Sequence, residues 1–136
     1  MLEAYSTSQS VVATTGIIPF NSVTLKKGCT AELNGVSTIQ LNKCGIYEVV
    51  FNATVLAGTA GDVVIGMTKN GINQPQATRT ITGATITTSV NVPITTLVQV
   101  KDNNLGRCCD SPTLLQFINT GVEVTGDFDV VVTKIC

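Results

Sequence analysis

Residues 44–56 read Cys-Gly-Ile-Tyr-Glu-Val-Val-Phe-Asn-Ala-Thr-Val-Leu, with Tyr47, Val49, Phe51, Ala53 and Val55 two apart and the polar Glu48, Asn52 and Thr54 between them. Side chains alternate across a β-strand, so this period of two predicts a long strand with one face in a core. Tyr47 and Phe51 are two of only six aromatic residues in the chain. A chain so short of large side chains gains most by burying the few it has. We expect 44–56 to be the central strand of the fold.

The rest of the chain is strand-like too. Thr, Val and Ile make up 50 of the 136 residues. All three are β-branched, which favours strands over helices. No window of about a dozen residues keeps the apolar stripe of a helix, so an all-β domain is expected. The length suits one domain with a sizeable core. Residues 1–16 are small, polar and rich in Ser and Thr, and are expected as an extended arm before a domain over 17–136. Such an arm is either an anchor to a neighbouring subunit or particle, or a frayed terminus.

Taken in order, 17–23 is the first expected strand, and Pro19 marks it as an edge or a strand start. Asn34-Gly35 is a strong hairpin signal, because both residues tolerate positive φ, and 38–42 is the returning strand. After the central strand and a loop over 58–62, Val63, Ile65 and Met67 alternate inward. Asn70-Gly71 turns the chain into a second return, where Pro75 and Gln76 signal an irregular or edge strand. Over 79–92, Ala84, Ile86, Thr88, Val90 and Val92 share a face, Gly83 marks a bulge or turn, and Pro93 breaks the run before a strand over 94–101. Residues 102–112 are the longest loop. Strands at 113–119, with Leu115 and Phe117 inward, and 122–135, with Phe128, Val130 and Val132 inward, close the chain. Nine or ten strands at this spacing predict a β-sandwich, most naturally a jelly roll.

Thr38-Ile39-Gln40-Leu41-Asn42, then Gly45-Ile46-Tyr47 and the alternating run to Val55, resemble the corresponding strands of TNF-like jelly rolls, as does the strand, Lys69-Asn70-Gly71 turn and strand that follows. That family includes tumour necrosis factor, the globular complement-type heads and a bacillus spore-surface glycoprotein; small phage virion proteins from Gram-positive hosts are similar. The resemblance implies a homotrimeric, non-catalytic surface module of about ten strands, with the last strand central in the inner sheet beside the trimer axis.

Charge is sparse, with 8 basic and 9 acidic residues. There is no basic patch or aromatic platform for nucleic acid. A chain that is 43% hydrophobic and 12% charged is what a large subunit interface would produce, since monomer surfaces usually carry more charge. Residues 1–5 lack the pattern of a secretory signal, and no run reaches transmembrane length. The expectation is synthesis in a cytoplasm followed by assembly, with no membrane insertion. The cysteines, at 29, 44, 108, 109 and 136, are odd in number and form no Cys-x-x-Cys pair. Buried or incidental thiols are expected, and a Cys29–Cys44 bridge across one hairpin stays open.

With no histidine in the chain, the commonest general base and a leading metal ligand are missing. Asp127 and Asp129 share a strand face and so could form a carboxylate pair, but a solvent-facing role opposite Phe128 and Val130 accounts for them. Loop 102–112 holds two aspartates without calcium-loop spacing. No enzyme activity, cofactor or metal is expected. Tyr47, Phe51, Phe117 and Phe128 are the candidates for filling the sandwich or lining a trimer axis. Lys69, Asn70, Arg79, Asp102 and Arg107 are the candidates for surface recognition. The expected role is a phage virion component: a head fibre, a decoration protein or a host-attachment tip. It would contact capsid or fibre proteins through 1–16, and a host receptor or glycan elsewhere. The alternatives are a spore or cell-surface adhesion domain and a carbohydrate-binding module; the absence of Trp weighs against the last.

Overall fold

The computed structural model describes residues 2–6, 10–20, 22–26, 31–100 and 113–135. Among them are β1 (Leu2–Tyr5), β2 (Ser10–Val12), β3 (Ser22–Lys26), β4 (Ala31–Asn34), β5 (Thr38–Leu41) and β6 (Gly45–Ala57). They continue with β7 (Gly61–Lys69), β8 (Ile72–Ala84), β9 (Val90–Val100), β10 (Thr113–Asn119) and β11 (Val124–Lys134). No described residue is helical.

The strands form two antiparallel sheets. The larger runs β3-β1-β11-β6-β9, with β2 also pairing with β11, and the smaller runs β4-β5-β10-β7-β8. Each sheet mixes strands from distant parts of the chain, as a jelly roll requires. The last strand is interior, flanked by β1 and β6. The β6–β11 ladder is long, running from Ala57↔Val124 to Tyr47↔Lys134. On β6, Tyr47, Val49, Phe51, Ala53, Val55 and Ala57 are all buried. Strict alternation leaves Glu48, Asn52 and Thr54 in solvent.

The core lies between the sheets. Phe51 and Phe117 stack with centroids 4.3 Å apart, and Phe20 meets each of them edge-on at 6.2 and 6.1 Å. Phe128 stacks on Phe51 at 6.4 Å. All four phenylalanines of the chain thus form one cluster joining both sheets, each side chain worth about 1.5–3 kcal/mol by burial alone. Tyr47 is also buried, and its hydroxyl donates to Lys43 O at 2.6 Å.

Several expectations are corrected. The described residues of the expected arm, 2–6 and 10–16, are part of the sandwich: β1 sits between β3 and β11, and β2 pairs with β11. Leu2, Ala4 and Val12 are buried, and these apolar residues draw the segment into the larger sheet. The strand expected over 17–23 starts only at Ser22. Ile17 makes a single bridge to Ile118, and Pro19, which has no N–H, cannot extend that ladder. The face expected over 84–92 is broken: β8 ends at Ala84 and β9 begins at Val90, with Ile86 exposed between them. Gly83, at φ 68, is the last residue but one of β8. Pro93 does not break β9, because β9 is the outermost strand of its sheet and its free side needs no donor.

Candidate functional site

The exterior of the larger sheet is set by register. One row across its strands reads Glu3, Val131, Val50 and Thr95, and the next reads Tyr5, Asp129, Asn52 and Pro93. On the other side lie Thr133, Glu48 and Leu97. Val131 and Val50, both half-buried, are direct neighbours at the middle of this face, and Leu97, 59% exposed, lies one row over on β9, opposite Glu48. Acidic groups surround this apolar centre. The Asp129 carboxyl is pushed above its ordinary value of 3.8, first by desolvation and then by the nearby charge of Glu3.

The exterior of the smaller sheet is organised differently. Asn34 Nδ2 donates to Gln40 Oε1 (3.3 Å), Gln40 Nε2 to Asn42 Oδ1 (2.8 Å) and Asn42 Nδ2 to Glu32 Oε1 (3.1 Å). Gln116 Nε2 donates to Thr38 Oγ1 at 2.9 Å. These amides satisfy one another across β4, β5 and β10. Farther along, β8 bulges: Thr78 pairs with Gly66 and Gln74 with Met67, so Pro75, Gln76 and Ala77 leave the ladder. Thr78 Oγ1 donates to Gln74 O at 3.0 Å and closes the bulge. Beside it lies a recess of about 240 Å³ lined by Gly66, Thr68, Asn73, Thr78, Ile118 and Thr120. Pro75 and Gln76 signalled this irregularity in the sequence; nothing there signalled a recess.

Tyr47, Phe51, Phe117 and Phe128 all face the interior and are at most 1% exposed, so they fill the sandwich of a single subunit. Lys69 and Asn70 are consecutive at the β7–β8 turn, whereas Arg79 lies farther along β8, opposite Ile65. Lys69 Nζ donates to Gln99 O at 2.8 Å. Asn70, at φ 52, and Gly71, at φ 83, make the β7–β8 turn, and Asn70 Oδ1 accepts from the Leu114 N–H at 2.9 Å. Arg79 Nε donates to Pro93 O at 3.1 Å, bridging the outer strands of the two sheets. Each of these side chains has a structural task. Asp102, Arg107, loop 102–112 and Cys29, hence the Cys29–Cys44 pairing, lie outside the described residues. Asp127 and Asp129 are exposed on the larger sheet. Among the described residues, no three His, Cys, Asp or Glu side chains cluster as metal ligands.

Sequence reasoning missed Phe20 and Asn119. Phe20 belongs to the aromatic cluster, and its apolar neighbours Ile17 and Ile18 were the available signal. Asn119 is fully buried; its Nδ2 donates to Val122 O (2.8 Å) and Val12 O (3.2 Å), and its Oδ1 accepts from the Gly121 N–H (3.1 Å). It ties residues 12–16 to the β10–β11 turn. In the sequence it is indistinguishable from an ordinary turn asparagine.

No protein-family model matches this chain, and no curated protein does. Solved structures do. The PRD1 vertex protein P5 superposes with a TM-score of 0.55 at 14% identity, over 99% of this chain and 96% of that one. Murine APRIL, in a crystal structure at pH 5.0, superposes at 0.50 with 9% identity, over 91% and 98%. The fold is a TNF-like jelly roll. A third similar structure, CBM35 from Cellvibrio japonicus Abf62, reaches 0.44 at 14% identity, over 98% and 96%, too low to argue from. At these identities the likeness concerns the fold, and function must be argued from the surfaces.

Proposed function

We propose that this protein is a non-enzymatic structural or attachment module that forms a homotrimer through the exterior of its larger sheet, and that it is a surface component of a phage virion. The observation that carries the assembly reading is the Val131–Val50 pair at the middle of that exterior, with Leu97 one row over. This apolar centre lies on the last strand and its neighbours, where the TNF-like resemblance puts the trimer axis. Assembly through sheet edges is disfavoured on one side of the sandwich. Its two outer strands each carry a proline, Pro75 in β8 and Pro93 in β9, and Arg79 clips them together. The virion reading draws support from the likeness to a phage vertex protein.

The test is native mass by light scattering over a dilution series. The expected result is a stable species of about three times 14.2 kDa. A monomer at every concentration would overturn the trimer. The virion reading is tested separately, by mass spectrometry of purified particles from the source phage lysate; absence of the chain from them would remove it.

A further inference from the structure

We propose that the recess on the exterior of the smaller sheet is a binding site for a single neutral sugar residue. The recess is part of the fold. Gly66 and Thr68 lie on the outward side of β7, yet both are buried. Thr78 and Asn73, brought close by the β8 bulge, stand over Gly66: a Cβ there would come within 2.7 Å of Thr78 Oγ1 and 3.3 Å of Asn73 Oδ1. Glycine at this position is what lets the bulge close down beside the hollow.

The lining selects the ligand by chemistry. It contains no charged side chain. An ionic ligand would lose its hydration without gaining a counter-charge. Ile118 provides an apolar wall. Thr78 Oγ1 spends its proton on Gln74 O at 3.0 Å, which leaves its lone pairs to accept from a ligand hydroxyl, and Thr68 Oγ1, 3.5 Å from Gln116 O, is only weakly engaged. The Asn73 amide can donate and accept at once. A ring with C–H groups on one face and adjacent hydroxyls on its edge matches this set. The volume, about 240 Å³, lies below the roughly 300–1,000 Å³ of drug-sized pockets and suits one ring. Without an aromatic platform, the affinity of one site is expected in the millimolar range. Several copies on one particle would act together. The site faces away from the proposed subunit interface, so it stays open in an assembly. Binding stands on the recess alone; its use in host attachment rests on the virion-surface reading.

The experiment is an amide-resolved NMR titration of the full chain with methyl glycosides of glucose, galactose and N-acetylglucosamine, and with the anionic N-acetylneuraminic acid. Saturable shifts at Gly66, Asn73, Thr78 and Ile118 with at least one neutral glycoside, absent with the anionic sugar, are expected. Asn73→Ala, at an exposed position, should weaken binding about tenfold, the loss of one good hydrogen-bonding group. Gly66→Ala should weaken it by crowding the recess, with the amide spectrum showing that the fold persists. No shifts at tens of millimolar of any neutral glycoside, shifts confined to other regions, or unchanged binding by Asn73→Ala would overturn the proposal. Light scattering on the same samples separates the two readings. A trimer that binds no sugar loses only the site, and a monomer that binds sugar loses only the assembly.

Discussion

The two outward faces of the sandwich solve the same problem in different ways. On the smaller sheet, polar side chains are matched to each other: Asn34, Gln40, Asn42 and Glu32 run as a hydrogen-bonded chain, and Gln116 holds Thr38. Each such bond adds about 0.5–1.5 kcal/mol net, and these polar groups are matched within a single subunit, although Leu114 stands exposed opposite Gln40. On the larger sheet, Val131 and Val50 lie side by side at the centre, within a ring that includes Glu3, Glu48 and Asp129. Apolar area left in water gains about 25 cal/mol for each Å² later covered, while carboxylates at its rim lose solvation on being covered. A face of the first kind has less to gain from a partner. One of the second kind gains from a partner, and its acidic rim limits how closely the partner sits.

The sharpest test of this contrast is a matched pair of substitutions. Val50→Glu places a negative charge at the centre of the larger sheet's exterior, among Glu3, Glu48 and Asp129, and each subunit of an assembly would carry it. Burying an uncompensated charge costs about 3–5 kcal/mol, so the native mass should fall to that of the 14.2 kDa monomer. Gln40→Glu on the other face should leave the mass unchanged. Equal behaviour of the two variants would erase the contrast. Phe51→Ala tests the core that supports both faces. It opens a cavity between Phe20, Phe117 and Phe128 and should lower unfolding stability by about 3–5 kcal/mol, read by urea denaturation.

Asn119→Ala would strand the acceptors and donor that its amide now serves. It should cost about 1–3 kcal/mol and speed hydrogen exchange first in residues 12–16 rather than on either face. The smallest effect is expected at Asp129. Its carboxyl holds its proton more tightly in the folded protein than its ordinary value of 3.8 allows. The folded state therefore binds more protons than the unfolded chain across that window. The stability this confers is fully present below 3.8 and is lost as the pH rises through the raised folded value. Asp129→Asn should melt slightly higher than the wild type at pH 7, with the gap closing toward pH 3.8 and below. The group is partly exposed, so salt should shrink the difference.

Much of the fold was legible in the chain. The alternation in 44–56 became β6 almost to the residue, Asn70-Gly71 became a hairpin turn, the hairpin signalled at Asn34-Gly35 formed with its turn at 35–37, and β10 matched its expected bounds. Period-two burial and positive-φ turns are local properties, and local sequence carries them. The N-terminal strands were not legible. Leu2, Ala4 and Val12 are buried only because β11, more than a hundred residues later, offers them a ladder. The recess was hidden for the same reason: it needs Gly66, the β8 bulge and Ile118 of β10 in one place.

By itself, then, the sequence determined most of the strand content, most of the turns and four of the five buried aromatics, because β-branching, alternation and a shortage of large side chains leave few other ways to bury them. Only the tertiary structure decided which outward faces exist and what each can meet. An exterior row such as Glu3-Val131-Val50-Thr95 is written in four distant places, and cross-strand register, which depends on every strand between, brings its members together.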